Sequence, residues 1–331
     1  MTDQKMKQTS QFRFYDEKVE NREKGSVTDV RAECNHSQLQ NDSTKGHIVF
    51  PEESQSILKN VENHLKSPLI ESSFKTSLPV ATILPVNPME AWTAPIGSQT
   101  LTLFNDNGEE IRTAAFPAKV QGFSVLENKD IIFSNYEGRS IHLLTRGGKV
   151  SKLVSTSPFS PNGIQVITES QQFIVCLIGT NGGKIVRYSK NGTSRLKTIM
   201  NDKTTGLPLF KFPRRVTRND NGDLGVVDLS LHSLIVVDDD GCTRWIYKGS
   251  EESRRNGVTF DPWDVCVDRD QNYLVSNTGN HSVDLLDKNG KFLRYILTTE
   301  HGIKFPLGLS FDSRGTLWLG QATGTVTLLR L

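Results

Sequence analysis

One strand-and-turn pattern recurs down the last two-thirds of this chain and limits what it can fold into. Its clearest copy begins Pro262-Trp263-Asp264-Val265-Cys266-Val267-Asp268 and continues through Tyr273-Leu274-Val275-Ser276-Asn277 and Asn280-His281-Ser282-Val283-Asp284-Leu285-Leu286. It closes with Asp287-Lys288-Asn289-Gly290 and Phe292-Leu293-Arg294-Tyr295-Ile296. Weaker copies start near Val120, Pro161, Pro213 and Pro306, a spacing of roughly 40 to 50 residues, as expected of four-stranded repeat units. Such a unit cannot bury both faces alone. Its repetition therefore implies sheets stacked against one another in a ring.

Turn chemistry gives the unit boundaries. Asp106-Asn107-Gly108, Arg146-Gly147-Gly148, Lys190-Asn191-Gly192, Asp239-Asp240-Gly241 and Lys288-Asn289-Gly290 each sit between alternating apolar segments, as hairpin turns with positive φ require. A second series opens the inner hairpins: Glu127-Asn128-Lys129-Asp130, Asp220-Asn221-Gly222-Asp223, Asp268 to Asn272, and Asp312-Ser313-Arg314-Gly315. Together they predict an all-β, six-bladed β-propeller with blades at roughly 80–117, 118–157, 158–205, 206–255, 256–301 and 302–331. The last blade is a strand short, and Ser73–Pro79 is placed to supply it and remove an open edge. The expected organisation is thus a ring over 73–331 behind a polar, largely disordered tail over 1–72. Ile57, Leu58, Val61 and Leu65 fall at helical spacing within that tail and predict one short helix near 52–66, stopped by Pro68.

The remaining composition is restrained. Thirty-nine basic and 37 acidic residues leave a net charge of +2, which selects no polyanionic partner. The four cysteines, Cys34, Cys176, Cys242 and Cys266, form no CxxC pair, so neither a disulfide framework nor a zinc module is indicated. Neither a signal-peptide pattern nor an 18-residue apolar run is seen, and a cytoplasmic location without membrane attachment is the expectation.

From Phe260 to Ile296, and again at Pro306-Leu307-Gly308-Leu309-Ser310-Phe311-Asp312, the chain resembles NHL repeats. More narrowly, it is similar to the C-terminal propellers of tripartite-motif (TRIM-NHL) proteins. The resemblance covers about 80–331 and implies a recognition platform for protein or RNA. In that family ubiquitin transfer belongs to an upstream RING finger. Before residue 80 only Cys34 and His36 stand near one another, too few for a RING or B-box, and no long coiled coil is visible. Ligase activity of its own is therefore not expected, and neither is self-association. The chain reads as a non-catalytic, monomeric module, with a role as substrate adaptor in the ubiquitin pathway implied by the resemblance alone.

Candidate contacts come from loops entering the fourth and fifth blades: Lys211, Arg214, Arg215, Arg254, Arg255, Trp263 and Asp264. With Phe210 and Phe212 nearby they predict a basic, aromatic-edged patch, suited to a protein or peptide ligand or, alternatively, to single-stranded RNA through phosphates and stacking. DNA is not an expected partner. His232 and His281 occupy the same turn position in successive blades, which accounts for both without metal chemistry. Asn162 and Asp264 are placed near the channel mouth, where lactonase-type propellers hold calcium, so a calcium-dependent hydrolase is the remaining alternative. The expected catalytic set, metal and cofactor are none.

Overall fold

The computed structural model describes residues 68–331. The helix expected near 52–66, and the expected tail up to residue 67, lie outside the described residues. Its boundary moves, because β1 (Leu69–Lys75) already begins within the span assigned to the tail.

Five antiparallel sheets follow. β2 (Thr82–Asn87), β3 (Glu90–Ala94), β4 (Ser98–Asn105), β5 (Glu110–Val125), β6 (Ile131–Asn135), β7 (Ser140–Leu144) and β8 (Val150–Ser155) form one seven-stranded sheet in chain order. Three four-stranded meanders come next. They are β9 (Ser160–Ile167), β10 (Gln172–Gly179), β11 (Gly182–Tyr188) and β12 (Arg195–Ile199); then β13 (Pro213–Arg218), β14 (Leu224–Asp228), β15 (Ser233–Val237) and β16 (Thr243–Tyr247). After the short helix α1 (Glu251–Arg255) come β17 (Pro262–Val267), β18 (Tyr273–Asn277), β19 (Ser282–Leu286) and β20 (Phe292–Leu297). The last sheet joins β21 (Pro306–Phe311), β22 (Thr316–Gln321) and β23 (Thr325–Arg330) to β1, with Leu69 opposite Arg330 and Lys75 opposite Thr325. Pairing across the whole sequence covers the edge that β23 would otherwise expose.

The break expected between residues 117 and 118 does not occur, because β5 is a continuous 16-residue strand. Its register against β4 jumps from Thr100–Ala115 to Ser98–Val120, and the skipped residues include Pro117, which cannot donate to a ladder. Its second half instead pairs with β6, so one strand serves two hairpins.

First strands pack on first strands around an axis: β5 on β9, β9 on β13, β13 on β17, β17 on β21, and β21 on β2. Each sheet is therefore flanked on both sides, and middle strands such as β18 and β19 are buried at every position. The core is a series of intersheet clusters; one joins Val226 and Ile235 to Ile174 and Ile185 of the preceding sheet. Glycine permits the closest approaches. A Cβ on Gly122 would lie 2.5 Å from the Asn162 carbonyl oxygen, and one on Gly163 would strike that of Arg214.

Polar ties also cross between sheets. The Tyr247 hydroxyl, on outer strand β16, donates to Asp284 Oδ2 of β19 at 2.8 Å, and the Ser282 hydroxyl donates to Oδ1 at 2.6 Å. Burial raises the Asp284 pKa to about 6, against these hydrogen bonds. The folded value lies above the ordinary 3.8, so ionising this group opposes folding. The cost is absent below pH 4, grows between pH 4 and 6, and is complete above pH 6, where two units correspond to about 3 kcal/mol. Asp284→Asn removes the charge but turns one acceptor into a donor. The variant should be about 1–2 kcal/mol more stable than wild type at pH 7.5, with the advantage vanishing near pH 4. Urea titrations at both pH values test this, and equal stability at pH 7.5 would refute it.

Candidate functional site at the mouth of the ring

Superposing the repeat starts gives the site its layout. Pro213, Pro262 and Pro306 open innermost strands, and Pro161 is second in β9. Val120 stands at the equivalent point within β5, where it begins to pair with β6, and Val80 in the equivalent place before β2. The next residues, Ala81, Gln121, Asn162, Arg214, Trp263 and Leu307, make one layer around the axis. Thr82, Gly122, Gly163, Arg215, Asp264 and Gly308 make the layer beneath. Half of that lower layer is glycine, which leaves room for the Arg215 side chain to cross the axis.

Arg215 fills that space. Its guanidinium donates to the Gln121 carbonyl at 3.2 Å and to the Thr82 hydroxyl, both on the far side of the ring. Its Nε lies 3.6 Å from Asp264 Oδ2. The carboxylate also accepts from Val265 N at 2.8 Å and Leu309 N at 3.2 Å, so it is tied to its own strand and to the next sheet. Burial nevertheless raises the Asp264 pKa, with Arg215 as the leading opposing influence.

Arg214 behaves differently. Its guanidinium carbon stacks 3.5 Å above the Trp263 ring, and the Trp263 indole N–H donates to the Ala81 carbonyl at 3.0 Å. Arg214 is only 5% exposed, and its Nε has no hydrogen-bond partner among the described residues. Burial, then the charge of Arg215, lowers its pKa well below the usual guanidinium value. Asn162, 3% exposed in the same layer, likewise has no partner for its side-chain oxygen.

The expected single patch therefore divides. Arg214, Arg215, Trp263 and Asp264 do come together, but buried at the strand starts. The physical reason is register: the entering loops end one or two residues earlier, at Pro213 and Pro262. Lys211 remains exposed on its loop, where its backbone N–H donates to Asp228 at 2.7 Å. Arg254 and Arg255 are exposed on α1, and Arg255 pairs with Glu251 at 2.9 Å. Arg254 lines a separate peripheral groove with Tyr247, Lys248, Lys291 and Phe292. Gln121 and Thr82 were missed by reading single motifs, although aligning all the repeat starts would have placed them in these layers.

The calcium reading does not fit these residues. Asp264 is engaged by a guanidinium and two amides, and Arg214 adds a second positive charge where a divalent cation would sit. No group of three His, Cys, Asp or Glu side chains suited to a metal exists among the described residues.

No protein-family model matches the chain, and no curated protein does. Solved structures do share the fold. A gluconolactonase from Xanthomonas campestris superposes with a TM-score of 0.62 at 14% identity, over 80% of this chain and 94% of that one. Virginiamycin B lyase from Staphylococcus aureus, in complex with quinupristin, gives 0.56 at 12%, over 78% and 98%. The WD40 β-propeller domain of Doa1 gives 0.55 at 11%, over 80% and 96%. The chain thus has a β-propeller fold, and nothing in these likenesses points to tripartite-motif proteins specifically. The expectation of a non-catalytic chain is corrected here, because a lyase and a gluconolactonase stand among the structures that share its architecture. Among the described residues no helix is long and apolar enough to cross a membrane.

Proposed function

We propose that the chain is a six-bladed ring whose function is to recognise a protein or peptide ligand at the end where the innermost strands begin. In this reading the seven-stranded sheet is two blades sharing β5. The observation that supports it is the asymmetry between the two ends. At one end the long connections 200–212 and 248–261 frame the layer containing Asn162, Arg214 and Trp263. They carry the exposed side chains of Leu207, Lys211 and Arg254. The opposite end consists of short hairpins such as Asp220–Asp223 and Asp287–Lys291. Long loops on a rigid scaffold are where binding residues concentrate.

A protein ligand is preferred to single-stranded RNA. RNA binding needs several cations spaced along an exposed groove for successive phosphates. Arg214 and Arg215 are buried within β13, with Arg215 already paired to Asp264. The exposed remainder, Lys211, Arg254 and Arg255, is interleaved with Glu251 and Glu252. The narrower likeness to NHL repeats, and with it an adaptor role in ubiquitin transfer, rests on the repeat residues themselves.

Crosslinking and immunoprecipitation from native cells, with protein and RNA recovered together, tests the proposal. Lys211→Glu with Arg254→Glu should abolish capture of the principal protein partner, whereas Lys149→Glu with Lys288→Glu on the hairpin end should leave it intact. Loss only with the second pair would refute the assignment of the face, and recovery of RNA alone would replace the protein reading.

A further inference from the structure

Arg214 is the least compensated charge in the site. Arg215 pairs with Asp264 of the neighbouring sheet, whereas Arg214 makes no ion pair among the described residues. Its charge sits on a residue that is only 5% exposed, with the guanidinium carbon 3.5 Å from the Trp263 ring and no hydrogen-bond partner for Nε among the described residues. A buried charge without a partner is costly, and native sites rarely keep one unless something else supplies the counter-charge. Asn162 stands in the same layer, 3% exposed, with its side-chain oxygen also unpartnered among the described residues.

We infer that Arg214 and Asn162 form a binding site for the carboxylate of the ligand, inserted at the mouth of the ring over Trp263. The guanidinium fork matches the two oxygens of a carboxylate, and the Asn162 amide adds a donor at its side. The single charge of the Arg214 guanidinium is balanced by a monoanion, which favours a carboxylate over a doubly charged phosphate. Stacking on Trp263 fixes the plane of the fork before the ligand arrives, so little rotamer freedom is lost on binding. The depressed pKa of Arg214 is consistent with a site that gains from an arriving anion. This inference rests on the reading of that end as the ligand face.

The full chain is titrated with sodium acetate, sodium benzoate and inorganic phosphate at an ionic strength held constant with chloride, following tryptophan emission and melting temperature. The monocarboxylates should raise the melting temperature beyond chloride and change an emission component that Trp263→Phe removes, with phosphate weaker. Arg214→Met keeps an apolar chain over the indole and should weaken carboxylate binding on the order of tenfold or more. Silence of both carboxylates in the wild-type protein, a stronger response to phosphate, or undiminished binding by Arg214→Met overturns the inference, and the wild-type titration decides even if that variant does not fold. N-acetylglycyl-leucine against its amide locates the source of the carboxylate. Preference for the acid over the amide assigns it to a protein C-terminus, and preference for benzoate over both assigns it to a small acid. A silent titration beside a partner that still maps to the Lys211 and Arg254 end sinks this inference alone.

Discussion

Asp264→Ala should lower the free energy of unfolding by about 3–5 kcal/mol, among the largest effects of any polar substitution in the ring. The carboxylate is 6% exposed and lies 3.6 Å from Arg215 Nε. Removing it leaves Arg214 and Arg215, two like charges in neighbouring positions of β13, with no acidic group between them. Two backbone amides, Val265 and Leu309, lose their acceptor at the same time. The loss is mostly the cost of stranding charge, and a second substitution exposes that. Arg215→Met in the Asp264→Ala background should recover more than half of the deficit, because the stranded guanidinium leaves with it. Urea unfolding of the four proteins of this cycle gives the coupling. A single-variant loss below about 1 kcal/mol, the range of exposed pairs, would show the pair to be effectively solvated.

Trp318→Ala should cost about 3–5 kcal/mol, in the range of large aromatic truncations from cores. Trp318 is fully buried in β22, and its cluster contains Val80 just before the first sheet, Ile83 and Ala91 within it, and Val326 and Leu328 of the last. It therefore fills the seam where the two ends of the ring meet. β1 packs at the same place through Phe74, so the cavity would loosen the sheet that β1 completes. Trp318→Phe should cost less than half as much. It keeps the aromatic body and removes an indole N–H that has no partner among the described residues. Thermal and chemical unfolding would check the order, and a loss under about 1 kcal/mol for the alanine variant would mean that the seam repacks freely.

The β-rich character and ring architecture were legible because they depend on short-range chemistry that repeats. Glycine at positive φ marks hairpins at Gly108, Gly192, Gly241 and Gly290, and apolar residues between them alternate at strand spacing. Among the apolar residues of these alternating runs, Leu274, Val275, Val283, Leu317 and Leu319 are fully buried, whereas Val267 is only half-buried at the end of β17. Alternation failed where both faces of a strand are covered. Asp284 reads as a solvent-facing position and is buried against Tyr247 of the preceding sheet, and Trp318 lies on the face opposite Leu317 and Leu319 yet is equally enclosed.

The candidate site shows the same division. Local sequence placed Arg214, Arg215, Trp263 and Asp264 near one another through repeat register, a property that counting along the chain reveals. It assigned them to exposed loops, because basic residues are ordinarily solvated. Only the tertiary structure decided that Arg215 turns across the axis to Gln121 and Thr82, contributed by strands about a hundred residues away. That path exists because Gly122, Gly163 and Gly308 leave the lower layer open, and because Asp264 supplies the counter-charge. The repeat pattern set which residues open each innermost strand. Closure of the ring set which of them meet, since the burial of a charge depends on what the opposite side of the axis presents to it.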